Sequence, residues 1–230
     1  CLVKSISSSG YKIAISGTGS DELFSGYYDH YLFHFQYLKN SKNLNKHIDV
    51  WKKNVLPKIR NEVFKNDKLF INKPNYRDYV YDHNQTLSKY LISPDKSKFQ
   101  EKFFTQDDFS NRRLNELFYE QVQPTLNNED LNSMMYSVEN RSPFLNKQIF
   151  DFCFSLSPEL LINNGYTKYL VRESMKEILH EDIRTDRLKK GFNCSIKSLI
   201  DFSKAEIIDY LFDSNSEIFN YIDIKEFKKL

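Results

Sequence analysis

The stretch Ile13-Ala14-Ile15-Ser16-Gly17-Thr18-Gly19-Ser20-Asp21-Glu22-Leu23-Phe24-Ser25-Gly26-Tyr27 decides how this chain folds. A β-rich apolar run enters two glycines, passes a Ser-Asp-Glu triplet and then takes up a helical period. That is the order of a buried strand, a tight turn and a helix start. Gly17 and Gly19 let the backbone adopt positive φ and approach a ligand closely. Amides of the turn and of the first helical turn then point outward, where the helix dipole favours anions such as phosphate. Ser20 is placed to be the N-cap, and Asp21 and Glu22 suit the first turn. The same two carboxylates suit a Mg²⁺ bridging phosphate oxygens. A solvent-exposed turn with ordinary capping is the simpler alternative, and spacing alone does not choose between them.

Working outward, Phe24, Tyr27, Tyr31, Phe35 and Leu38 recur at spacings of three and four, which predicts one helix over residues 21–38. Gly26 inside it costs about 1 kcal/mol relative to alanine, so a small residue there points to close packing or ligand approach. His30 and His34 stand at i, i+4, a metal-ligand spacing, but no third ligand is evident and a surface or core-edge pair is expected. From residue 39 to 100 the periodicity weakens. Short helical stretches such as residues 50–63 alternate with Asn-, Lys- and Ser-rich pieces punctuated by Pro57, Pro74 and Pro94. The cluster at residues 75–79 reads as a surface excursion. Leu114, Leu117, Phe118 and Val122 predict an amphipathic helix stopped before Pro124. Glu139 and Arg141 flank a predicted helix end closed by Pro143, because the residue before proline leaves the α region. Further helices are expected around residues 149–156, 170–179 and 205–230, with a basic loop over residues 184–192.

The chain's 230 residues suffice for one good-sized domain or two small ones, and 40% hydrophobic with 28% charged residues indicates a globular protein. Lys+Arg 33 against Asp+Glu 31 gives no drive toward nucleic acid, and basic and acidic residues interleave. No apolar run approaches a membrane span, and no secretory signal pattern is present. Three widely separated cysteines, Cys1, Cys153 and Cys194, argue against a disulfide framework and for a reducing, cytoplasmic compartment. An N-terminal cysteine can be a nucleophile activated by its own amine. Here Leu2-Val3-Lys4 follow without a glycine-rich turn, so Cys1 reads as an ordinary residue at a cut in a longer chain.

Four motifs fall into one order. Residues Ser16-Gly-Thr-Gly-Ser-Asp-Glu-Leu-Phe-Ser-Gly-Tyr27 resemble the Ser-Gly-Glu-Gly-(Ala/Ser)-Asp-Glu-Leu-Phe-Gly-Gly-Tyr signature of asparagine synthetases. Asp130-x-x-Ser-Met134 followed by Glu139-x-Arg-x-Pro-Phe-Leu145 is similar to that family's second signature. Lys168-Tyr-Leu-Val-Arg172 and Arg187-Leu-Lys-Lys-Gly-Phe192 match two more. The resemblance covers residues 11–38 and 111–192 and leaves the middle unmatched.

The resemblance implies a fold: the mostly α-helical C-terminal portion of an α/β adenine-nucleotide alpha-hydrolase-like (PP-loop ATP pyrophosphatase) domain. One short central parallel strand at residues 12–15 would join sheet neighbours lying upstream. Residues 1–38 would be its strand-turn-helix core, 39–110 a variable excursion and 111–230 the helical part. The implied activity is that of an ATP-dependent amidoligase. It adenylates a carboxylate, releases pyrophosphate and lets an amine attack the acyl-adenylate, with ATP and Mg²⁺ as cofactors. By the same resemblance Asp21 and Glu22 are the metal carboxylates and Lys189 the pyrophosphate-side cation. Ser16, Gly17, Gly19 and Ser20 line the nucleotide or acyl-adenylate site, position 18 assists amine attack, and Lys168 and Arg172 brace the helices behind. Implied partners are a carboxylate substrate, glutamine-derived ammonia from a glutaminase domain or partner, and the upstream half of the synthetase domain.

Two departures bear on the chemistry. The family's glutamate between the glycines is Thr18, which cannot serve as a carboxylate base. A tyrosine takes this place in relatives that cyclise substrates, so the position follows the nucleophile. The aspartate after Pro-Phe-Leu is Asn146. Nothing in the 230 residues matches the family's Ser-Gly-Gly-x-Asp-Ser pyrophosphate loop or its Cys-Gly-Ile glutaminase start. The expectation is therefore that the isolated chain does not turn over, and that exposed sheet edge and helix faces favour self-association. Alternatives are an amidotransferase for a cell-surface sugar acid, a β-lactam-forming relative and a non-catalytic interaction domain. A dinucleotide or methyl-donor site at Gly17-x-Gly19 wants a third glycine and an acidic strand end about twenty residues on, neither of which follows.

Overall fold

Gly19 and Ser25 punctuate the first forty residues. A computed structural model, which describes residues 2–81, 88–94, 99–187, 195–213 and 215–228, shows how. Helix α1 (Leu2–Ser8) leads into strand β1 (Ile13–Ile15), and α2 (Ser20–Phe24) and α3 (Tyr28–Tyr37) follow. The single helix expected over residues 21–38 is thus two. Ser25 takes a left-handed φ of 63° with its N–H on the Asp21 carbonyl, and Gly26 N–H donates to the same carbonyl at 2.8 Å. With both amides turned back on one acceptor, the helical ladder ends. Tyr27 is extended, and the chain re-enters helix at Tyr28.

The break frees α3 to be buried on every side. Tyr31, Leu32, Phe33 and Phe35 are core residues, and so are Asp29, His30, His34 and Gln36. A helix buried all round belongs in the middle of a domain. Phe33 stacks on Phe70 of α5 (Leu69–Asn72) with centroids 4.0 Å apart. Phe35 meets Trp51 of α4 (Leu44–Asn54) edge-on at 5.6 Å. Trp51, Val55, Ile59 and Phe70 all lie in this core. Helix α4 starts before the expected residue 50 and gives way after Asn54 to a 3-10 turn at Leu56–Lys58. The histidine pair, expected at a surface or core edge, is fully enclosed.

Strand β1 pairs in parallel with β2 (Glu139–Arg141), with Ile13 opposite Glu139, Ala14 opposite Asn140 and Ile15 opposite Arg141. Three expectations change here. Residues 139–141 form a strand, not a helix end, and the partner of β1 lies within this chain. Nor is β1 buried: Ile15 is 75% exposed. Between the strands run α6 (Asp108–Asn115), a π-helical turn (Glu116–Glu120) and α7 (Val122–Met134). Pro124 does not stop a helix. It lies in the first turn of α7, where its missing N–H has no helical acceptor to satisfy. After β2 come a 3-10 turn at Pro143–Leu145, α8 (Lys147–Ser155), α9 (Pro158–Leu161) and α10 (Tyr169–Ser174).

The chain divides into two units, Cys1–Tyr76 with Glu101–Arg187, and Arg77–Gln100 with Leu188–Leu230. All elements named so far belong to the first. In the second, Leu91 bridges Ile222 antiparallel, and Phe227 packs against Tyr90 and Phe212 at about 6 Å between centroids. Asp223 caps the short helix Ile224–Phe227 by accepting from the Lys225 and Glu226 amides. No helix among the described residues is long and apolar enough to cross a membrane.

Candidate functional site

The parallel register of β1 and β2 builds the site. It sets Ser16, the residue after β1, beside Ser142, the residue after β2. Ser16 N–H donates to the Arg141 carbonyl at 2.9 Å, and the two serine hydroxyls are 2.9 Å apart. The chain then turns through Gly17 and Gly19. Gly17 faces open space, whereas a Cβ on Gly19 would lie 2.3 Å from Leu145 Cδ2 on a backbone with φ of 89°. Gly19 therefore satisfies both a left-handed turn and close packing of the Pro143–Leu145 turn. Phe144 completes that contact edge-on to Phe24 at 5.9 Å. The first two signature motifs thus lock together through Ser16–Ser142, Gly19–Leu145 and Phe24–Phe144.

Gly19, not Ser20, is the N-cap of α2. Ser20 lies inside the helix and its hydroxyl accepts from Lys168 Nζ at 3.0 Å. Lys168 also pairs with Asp21 Oδ1 at 3.2 Å, and its own N–H donates to the Phe24 carbonyl. One residue, held in left-handed backbone (φ 52°), so clamps both ends of α2. Arg172 donates from Nε to the Thr167 carbonyl at 3.0 Å, which steadies that turn. Buried Arg113 donates to the Glu22 and Leu23 carbonyls, which a five-residue helix leaves without intrahelical partners. Burial lowers its basicity, to about 10, so it remains a cation at neutral pH. Gly26 lies against the Asp21 side chain so closely that an added Cβ would be 1.5 Å from Oδ1. Asp21 is thereby held between Gly26 and Lys168.

Glu22 is buried and lines the same cleft as Asp21. Tyr27 donates its hydroxyl to Glu22 Oε1 at 2.5 Å. Burial raises the Glu22 carboxyl above the usual range despite that hydrogen bond, with Glu116 and Asp21 adding to the effect. Burial and the Glu22 carboxylate likewise hold the Tyr27 phenol far above its ordinary value, so it stays a donor.

Thr18 lines a cleft of about 260 Å³ whose other walls include Gly17, Asp21, Tyr27, Val122 and Thr125. Its hydroxyl donates to both carboxylate oxygens of Glu129, at 2.9 and 3.0 Å, and accepts from Ser16 at 3.0 Å. Asn140, brought beside Ala14 by the strand register, donates to Glu129 Oε2 at 2.8 Å. Glu129, Asn140 and Arg113 are residues that motif reading passed over. The period of α7 gives one clue after the fact: Val122, Thr125 and Glu129 follow at i, i+3 and i+7, one face of a helix.

Of the expected site residues, Ser16, Gly17, Thr18, Gly19, Ser20, Asp21 and Glu22 come together with Lys168 in one turn and cleft. Lys189 lies outside the described residues. Glu139 and Arg141 form an exposed pair at 2.8 Å. Behind the cleft, donor atoms of Asp29, His30 and Glu116 lie within 4.8 Å of one another. A cation already serves them: Arg112 stands 3.0 Å from Glu116 and 3.6 Å from Asp29.

The sequence model described as asparagine synthase matches residues 1–230. The chain is 28% identical over 203 residues to asparagine synthetase (glutamine-hydrolyzing) 1 of Bacillus subtilis (strain 168), covering 80% of this chain and 31% of that protein. It therefore spans about a third of the length of that relative. No solved structure matches. With the interlocked turn and strand motifs and a family match along its whole length, the chain belongs to the asparagine synthase family.

Proposed function

We propose that this chain forms part of an ATP-dependent amidoligase that adenylates a carboxylate and passes the acyl group to ammonia or an amine. The observation that carries the reading is the single cleft joining Gly17, Thr18 and Asp21, with Lys168 fixing Asp21. Asp21 is a half-exposed carboxylate at the rim, and its donor chemistry fits Mg²⁺, which needs only one or two carboxylates beside water and phosphate oxygens. Bound there, Mg²⁺ supplies charge against that developing on the departing pyrophosphate. Glu22, engaged by Tyr27, lines the same cleft beside Asp21. The open face of Gly17 leaves its backbone free for close approach of the nucleotide. Lys189 is the proposed pyrophosphate-side cation.

A second form of the reading, in which the acid is not aspartate but a sugar acid, follows from Thr18 replacing the glutamate of the asparagine-forming signature. The test is acid-dependent ATP–pyrophosphate exchange by the full-length gene product, run with L-aspartate and with D-glucuronate. Exchange with either acid that falls at least about a hundredfold in Asp21→Asn or Lys189→Ala is expected. No exchange with either acid overturns the proposal, and the acid that supports it chooses between the two forms.

A further inference from the structure

We propose that Glu129 is the positioning carboxylate of the amine-attack step, acting through Thr18 in place of the glutamate that the family signature carries between its glycines. The inference rests on the adenylating reading above.

Three features single Glu129 out. Thr18 spends its only proton on this carboxylate, sharing it between both oxygens, although the two residues are 111 positions apart. Asn140 and Thr18 hold Glu129 with neutral donors, and among the described residues it has no ion-pair partner. By contrast Glu101, Glu116 and Glu120 all converge on Arg112. Finally, Thr18 accepts from Ser16, and a hydroxyl oxygen has a second lone pair. Val122 and Thr125, on the face of α7 that carries Glu129, line the same cleft as Thr18.

The step balances without another reactant. The amine lone pair forms the N–C bond at the acyl carbon of the acyl-adenylate. One N–H proton passes to Thr18 Oγ1 as the threonine's own proton passes to Glu129. The C–O bond to the phosphate breaks and AMP leaves with the electron pair. Amine and acyl-adenylate give amide, AMP and one proton, which Glu129 releases to water. Threonine is shorter than glutamate, and here a carboxylate from α7 stands at hydrogen-bond distance behind it.

The experiment uses the full-length gene product with ATP, the acid that supports exchange and ammonia supplied directly. It compares pyrophosphate exchange with amide formed. In Glu129→Gln, amide formation should fall by about a hundredfold, and far more than exchange does. Thr18→Val, which keeps shape and removes the hydroxyl, should show the same split and serves if Glu129→Gln fails to fold. The double variant Thr18→Glu/Glu129→Gln returns the carboxylate to position 18 and should recover at least about tenfold of the lost amide formation. A purely structural Glu129 would lower both half-reactions together and gain nothing from the double variant; either result overturns the proposal. Exchange without any amide from ammonia in the parent protein overturns it too while leaving adenylation standing. No exchange with either acid removes both.

Discussion

Two polar networks lie in the larger unit, one sealed and one open. In the sealed one Arg112, 2% exposed, gathers Asp29, Glu101, Glu116 and Glu120, and Glu116 also holds His30 at 2.7 Å. In the open one Ser16, Thr18, Asn140, Ser142 and Glu129 bond to one another at 2.8 to 3.0 Å, all half-exposed. Charges withdrawn from water must be matched, and a matched network holds α3, α6 and the π-helical turn in one arrangement. The open network holds its one carboxylate, Glu129, with neutral donors at a cleft, and the second lone pair of the Thr18 hydroxyl remains available. The contrast separates what maintains this fold from what is available for chemistry.

The sharpest test removes the sealed cation. Arg112→Met should cost about 3–5 kcal/mol in urea unfolding, because several buried carboxylates lose their counter-charge. Glu129→Gln in the open network should cost less than about 1 kcal/mol. Equal costs would erase the distinction.

The two histidines of α3 carry the comparison into pH. Burial lowers the basicity of His30, but the Glu116 carboxylate and its hydrogen bond raise it further, for a net increase. His34, one turn on, faces His47 in place of a carboxylate, and burial drives it down to about 3. His30 therefore stabilises fully below its unfolded value near 6.5, and that contribution fades as pH rises through its raised folded value. His34 has the opposite sign: its contribution is present above about 6.5 and is lost at about 1.4 kcal/mol per unit as pH falls toward 3. Unfolding free energies at pH 7.5 and 5.0 should show a smaller acid loss in His34→Phe than in the parent. An unchanged loss would place the acid sensitivity elsewhere.

Smaller effects probe the turn. Gly19→Ala forces a left-handed alanine against Leu145 and should cost about 1–3 kcal/mol. Gly26→Ala would run into Asp21 from Oδ1 to Cβ and should displace that carboxylate from Lys168, read as weakened acid-dependent pyrophosphate exchange. Arg141→Ala removes one half of a fully exposed pair and should leave the unfolding midpoint unmoved at any salt concentration.

Much of this was legible in the residues. The strand, the glycine turn and the helix start at residues 13–24 follow from local rules, and the four ordered motifs identified the family. The break at Ser25 was not legible, because Phe24, Tyr27, Tyr31 and Phe35 keep helical spacing across it. Only the double acceptance by the Asp21 carbonyl ends the helix there. Residues 139–141 misled for a related reason: Pro143 marks the end of an element but not its type, and parallel pairing with β1 made it a strand.

By itself the sequence determined the turn and the family, since each motif is carried by residue types a few positions apart. Tertiary structure alone decided that Ser16 meets Ser142, that Thr18 meets Glu129 and that two histidines on one helix take opposite basicities. Those outcomes depend on strand register and on what packs against a side chain from more than a hundred residues away or from another helix. Local periodicity carries no record of either.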